Sequence, residues 1–112
     1  MDYENMSDFE INKRVADSRW PEFVKYEQYG KLRIQVPDGD DFYFDFNDPA
    51  DAWPIITSNA IDIEFAVDSL GGIGQAHVYV EGDTDLECNF NDNSKALRAA
   101  MIVYLMMQEA KC

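Results

Sequence analysis

Residues 38–93 contain no lysine and no arginine. The chain also has a single histidine, His77, and only two cysteines, Cys88 and Cys112. Each shortage excludes something. Two cysteines far apart make neither a disulfide framework nor a paired-thiol motif, so both read as free thiols. One histidine leaves little material for acid–base or metal chemistry, and a lone histidine on a strand is most often a surface residue. No apolar run approaches the roughly 20 residues of a membrane span, and the amino terminus lacks the charged and apolar regions of a signal peptide, so the expected location is a cytoplasm. With 112 residues, 46% of them hydrophobic, the chain is expected to form one domain, 1–112, with a modest core.

What the basic gap does contain is acid. Fourteen of the chain's 22 Asp and Glu residues lie in 38–93, whereas residues 1–37 carry seven acids against six bases; the net charge is −13. A field of one sign repels phosphates and anionic membranes and attracts basic surfaces. Direct nucleic-acid binding through this half is therefore disfavoured. Acids also keep small proteins soluble, but a merely solvated surface usually mixes both signs.

The pattern along the chain indicates an α+β domain. Ser7 followed by Glu10 is a capping box and places a first helix at about 7–18, with Phe9, Ile11 and Val15 inward. Trp20-Pro21 ends it. Two extended runs, Phe23 to Gln28 and Lys31 to Val36, flank Tyr29-Gly30 as a hairpin. A turn at Pro37-Asp38-Gly39-Asp40 leads into Phe42 to Phe46, where the phenylalanines share one face and Tyr43 and Asp45 the other.

Asp48-Pro49 reads as a cap followed by proline at the first helical position. Pro54 implies either a kink or a later start at Asp51. Three further strands are expected: Ile61 to Val67, Gln75 to Val80, and one after Glu81-Gly82-Asp83 that alternates Leu86, Cys88 and Phe90 with Asp85, Glu87 and Asn89. The predicted fold is an antiparallel sheet of about five or six strands with an N-terminal helix, a short middle helix at 49–58, and a long C-terminal helix, 95–110, packed on the sheet. Met101 to Met107 are seven apolar residues in succession, so the last helix must be covered on more than one side, by the first helix or by another subunit.

Glycines 71, 72 and 74 resemble a phosphate loop in composition only. A phosphate cradle needs a following helix whose free amides face the anion, and here a strand follows. Calcium loops begun at Asp45 or Asp83 place Ala50 or Cys88 where the turn glycine belongs, and Ile56 or Ser94 where the bidentate glutamate belongs. No metal, cofactor or catalytic residue is assigned.

Three segments, MSDFEINKRVA, FNDPADAWPII and ALRAAMIVYLMMQE, resemble the NinX family of small proteins encoded by tailed bacteriophages and prophages. The likeness covers about a third of the residues, spread across the chain. It departs at Ala96, where the family is expected to have proline, and in the glycine-rich middle with its acidic strands. The resemblance implies a phage origin and expression inside a bacterial cell, and it carries no activity to transfer.

The leading expectation is therefore a non-enzymatic phage accessory protein that inhibits or modulates a host protein, such as an anti-phage defence component, by presenting a nucleic-acid-mimicking acidic surface to its basic face. The residues expected to form that surface are Asp40, Asp41, Asp45, Asp62, Glu64, Asp83, Asp85 and Glu87. The alternative is an oligomeric sponge for a host immune-signalling nucleotide, joined through the C-terminal helix. It would use Trp20, Tyr43, Trp53 and Tyr79 as stacking surfaces and Arg33 and Arg98 as cations. A structural or assembly role in the phage is a third reading.

Overall fold

A computed structural model describes residues 2–65, 74–80 and 84–110; of Tyr79, Val80, Thr84, Asp85 and Ala110 it describes the backbone alone. The end of the expected 61–67 strand, the glycine segment before Gly74, and the Glu81-Gly82-Asp83 turn lie outside the described residues.

The first helix, α1, spans Asp8–Arg19 and begins as its capping box dictates: the Ser7 hydroxyl accepts the Glu10 amide at 3.1 Å. Strands β1 (Val24–Gln28) and β2 (Lys31–Gln35) form the expected hairpin, with Gln28 opposite Lys31. Its two-residue turn needs positive φ at both positions, which Tyr29 (55°) and Gly30 (74°) supply. Strand β3 is short, Phe42–Phe44, and pairs with β2. Helix α2 runs Pro49–Ser58 from an Asp48 cap, so Asp48 rather than Asp51 opens it and Pro54 lies inside it. Strands β4 (Asp62–Glu64), β5 (Gly74–Val80) and β6 (Thr84–Phe90) follow, then α3 (Ala96–Ala110), entered through a short 3-10 turn capped by Asp92.

The α+β class and the order of elements are those expected; the sheet is not. In place of one sheet of five or six strands, the described residues form two antiparallel sheets of three, β1-β2-β3 and β4-β5-β6. Asn12 of α1, only 6% exposed, donates from Nδ2 to the Phe44 carbonyl at 2.6 Å and accepts the Phe46 amide at 2.9 Å. A helix side chain thus satisfies two buried backbone groups where the chain leaves β3 for α2.

Helix α3 is the centre of the molecule. The second sheet packs on one side of it through β5 and β6, and α1 and α2 pack elsewhere around it. Residues Ala99 to Leu105 are all buried. The second sheet, α1 and α2 together cover these residues, and Met106 and Met107 beyond them are half-buried; the Ser18–Tyr104 hydroxyl pair (2.9 Å) pins α1 to α3. Phe65, which continues the inward alternation of Ile61 and Ile63, and Asn12, a polar residue of α1, both depart from a simple apolar-in, polar-out pattern. Phe65 is 61% exposed and touches only the edge of the Phe90 ring in aromatic contact, whereas Asn12 is buried. Gly74 has a packing role: the Phe90 ring lies directly over it, and a Cβ there would meet the ring at 2.2 Å. No described helix is long and apolar enough to cross a membrane.

Candidate functional site: the outward face of the second sheet

The acids of the basic gap fall into two groups with different work. Those near the first sheet are engaged in building it. Asp41 takes the Arg33 Nε at 3.1 Å with one oxygen and the Val36 amide at 3.3 Å with the other. Asp45 accepts the Asn47 amide at 2.9 Å and Asp48 the Ala50 amide at 3.0 Å, so both close turns around the start of α2. Asp40 is exposed on the turn before β3.

Asp51 accepts the Asp45 amide at 3.0 Å, and its carboxyl is pushed above the usual range by burial and then by the charges of Asp48 and Asp45, against the lowering effect of that hydrogen bond. The folded chain therefore holds a proton here more readily than the unfolded chain, and ionisation at neutral pH costs stability. Asp51→Asn keeps an acceptor and removes the charge. We expect it to melt within about 1 kcal/mol of the wild type or above it at neutral pH, with any advantage fading on acidification, in thermal unfolding followed at two pH values.

The second sheet carries the other group, and its geometry is regular. Alternation sends Ile63, Ala76, Val78, Leu86, Cys88 and Phe90 toward α3 and leaves the opposite residues outward. The register aligns Asp62 with His77 and His77 with Glu87, and aligns Glu64 with Gln75 and Gln75 with Asn89. Two polar rows thus cross three strands on one face. Neighbouring strands lie about 4.8 Å apart and alternate residues about 6.6 Å apart. Within the face Gln75 donates from Nε2 to Glu87 at 2.9 Å and to Asn89 at 3.1 Å, while His77 Nε2 meets Glu64 at 3.2 Å. Asp62, Glu64 and Glu87 are exposed, and the strands that hold them supply no lysine or arginine to offset them. Asp85 stands opposite Tyr79 at the next register position, with both side chains outside the described residues, as is the whole of Asp83.

Of the eight acids expected to act together, the structure joins Asp62, Glu64 and Glu87, and it separates Asp40, Asp41 and Asp45 onto the first sheet. The residues of the alternative ligand site are more dispersed. Arg33 and Tyr43 do meet on the outer face of the first sheet, with the guanidinium 5.6 Å from the ring centre and Gln28 bonded to both. Trp20 instead packs edge-on against Phe42 and Phe44, at 5.1 and 5.3 Å. Trp53 is exposed on α2, and Arg98 is spent on the amino terminus, as described below.

One feature had no sequence signal. A cleft of about 410 Å³ opens between β6, α3 and the amino-terminal turn, with Cys88, Phe90, Ala99 and Ile102 inside and Glu4 and Lys95 on its rim. Burial pushes the Cys88 thiol upward, reinforced by Glu4 and opposed by Arg98, so it is held protonated and poorly nucleophilic. Among the described residues no group of three or more His, Cys, Asp or Glu is arranged to hold a metal ion. The cleft arises because residues 2–6 are brought across the molecule, a contact that no local pattern encodes.

A family model described as bacteriophage P22, NinX matches residues 2–108. No curated protein matches the chain.

Proposed function

Because the chain belongs to the bacteriophage P22 NinX family, we propose that it acts in an infected bacterial cell as a non-enzymatic accessory protein. It binds a host protein with a basic, nucleic-acid-binding surface, such as a defence component, and inhibits or modulates it. The binding element is the outward face of the second sheet. The observation that carries this reading is the pair of cross-strand rows, Asp62–His77–Glu87 and Glu64–Gln75–Asn89, on strands that hold no lysine or arginine and a single histidine. Asp62 and Glu64 stand about 6.6 Å apart along their strand. One strand of DNA carries a charge about every 3.4 Å of axis, and carboxylates spaced at several ångströms along a strand offer a comparable ladder of negative charge.

Gln75 supports the arrangement by holding Glu87 in place, which lowers the entropy lost when the face meets guanidinium or ammonium groups. The acids near the first sheet lie away from this face and contribute long-range steering rather than contact; Asp41, Asp45 and Asp48 also bond the Arg33 side chain or turn amides.

The test compares two sets of neutralised variants in capture of host proteins from infected cells. Asp62→Asn, Glu64→Gln and Glu87→Gln together are expected to weaken the captured partner roughly tenfold or more, about 1.4 kcal/mol. Asp40→Asn with Asp45→Asn is expected to leave the captured complex within about twofold. Equal losses from the two sets would show that only net charge matters; no loss from the first would remove the proposed face.

A further inference from the structure

We propose that the open edge of β6 accepts an extended segment of a partner polypeptide as an added strand, one that alternates basic and apolar residues. This rests in part on the cation-seeking face described above, but its core is backbone geometry. Strand β6 is seven residues long and forms one edge of the second sheet, and among the described residues only β5 pairs with its backbone. A strand edge presents free amide and carbonyl groups, and folded proteins usually cover, twist or shorten such an edge. Here the edge lies beside the 410 Å³ cleft. A second cavity of about 290 Å³ continues from it past Glu87 and Met106 and shares Glu4, Cys88, Asn89 and Ile102 with the first. Edge, groove and helix wall together are what strand addition requires.

The two faces of β6 specify the occupant. Side chains of an added strand alternate like those of β6 itself. One set falls beside Glu87 and Asn89 on the acidic face, and there a lysine or arginine pairs across the strand. The other set enters the groove against Ala99, Ile102 and Met106, where an aliphatic side chain fits. The lining adds Asp2 and Glu4 beside Glu87; its cations are Lys95, beside Asn91, and Arg98, whose guanidinium is engaged with Asp8 and the amino-terminal carbonyls. Basic residues of the segment therefore belong at the Glu87 end. A second copy of this chain is a poor occupant, because edge-to-edge pairing would set Glu87 and its acidic neighbours against their own duplicates in a chain of net charge −13.

The probe is a seven-residue peptide alternating valine and lysine, acetylated and amidated at its ends, with two derivatives methylated on alternate backbone nitrogens. One derivative is blocked along one edge and the other along the opposite edge. Strand addition predicts that the unmodified peptide binds, that one derivative binds comparably and the other at least tenfold more weakly, and that binding slows amide exchange within β6. Glu87→Gln should weaken all binding several-fold while keeping that asymmetry. Equal binding of both derivatives, with no protection in β6, would overturn strand addition and leave the acidic face as a charge-only surface. Failure of the unmodified peptide to bind would overturn it as well. The converse, asymmetric binding together with a host complex indifferent to Asp62→Asn and Glu64→Gln, would keep strand addition and remove the acidic face.

Discussion

Asn12→Ala is expected to lower the stability of the fold by about 3 kcal/mol, because it orphans two buried backbone groups at once. The Phe44 carbonyl and the Phe46 amide each lose their partner in a place water does not reach, and each such loss costs about 1–3 kcal/mol. For a domain of this size that is a fall of roughly 10–20 °C in melting temperature, readable by thermal or urea unfolding. Asn12→Asp makes the argument more specific. It can still accept the Phe46 amide but sets a carboxylate against the Phe44 carbonyl. It should therefore be no better than alanine at neutral pH, and should recover on acidification as the carboxyl gains a proton to donate. Asn47→Ala, which removes one exposed 3.3 Å bond to Asp8, should change little. If Asn12→Ala melts within a degree or two of the wild type, the two bonds of Asn12 do not hold the end of β3 to α1.

Arg98→Ala is expected to release the amino-terminal segment at a cost of about 2–3 kcal/mol. The guanidinium bonds Asp8 at 2.6 Å and the carbonyls of Tyr3, Glu4 and Met6 at 3.2, 3.2 and 2.7 Å, so a single side chain on α3 gathers four acceptors. Hydrogen bonds to a charged group contribute about 1.5–3 kcal/mol, and the partly exposed site reduces the sum well below four such terms. Arg98→Lys should rescue little, since a compact ammonium cannot span the fork that the planar guanidinium covers. Two readouts separate release from general destabilisation. Amide exchange should quicken at residues 2–6 before it quickens in α3.

The second readout is Tyr3. Its phenol is pushed up to about 12 by burial and then by its hydrogen bond to Glu109. The folded value lies above the unfolded one of about 10, so the stabilisation is fully present below pH 10 and is lost as pH rises through 12. Ultraviolet titration of the wild type should show a late-ionising tyrosine that Tyr3→Phe removes. In Arg98→Ala that tyrosine should return toward the ordinary range. A late-titrating Tyr3 in the variant would mean that its burial does not depend on the Arg98 clamp.

Local chemistry was legible in the residues, and distant partnerships were not. Ser7 with Glu10 marked the start of α1, Asp48 with Pro49 marked α2, and the alternation around Ile63, Val78 and Cys88 marked the second sheet with the correct inward set. The burial of Asn12 was hidden because its backbone partners, the Phe44 carbonyl and the Phe46 amide, lie 32 and 34 residues away; the division into two sheets likewise rests on which strands meet, which no local pattern encodes. Phe65 was misplaced for a related reason. It continues the apolar alternation of β4, but that strand's ladder with β5 stops at Glu64, so the next side chain lies beyond the sheet that would bury it.

For the site, the count of acids was legible and their duties were not. A carboxylate that closes a backbone turn, like Asp45, and one that stands in a cross-strand row, like Glu64, count alike in a composition and differ in what they hold. The cleft beside β6 has no sequence signature at all, because one of its walls is the amino terminus held there by Arg98.

The account rests on a cation-seeking face formed by Asp62, Glu64 and Glu87, and the salt dependence of the host complex tests it most directly. The dissociation constant of the wild type should rise steeply between low and high ionic strength, because rim-exposed charge pairs are screened over about 10 Å at 0.1 M salt. The Asp62→Asn, Glu64→Gln, Glu87→Gln variant should bind more weakly at low salt and respond much less to added salt. A dissociation constant that stays the same from low to high salt, or an unchanged salt slope in the variant, would contradict the claim.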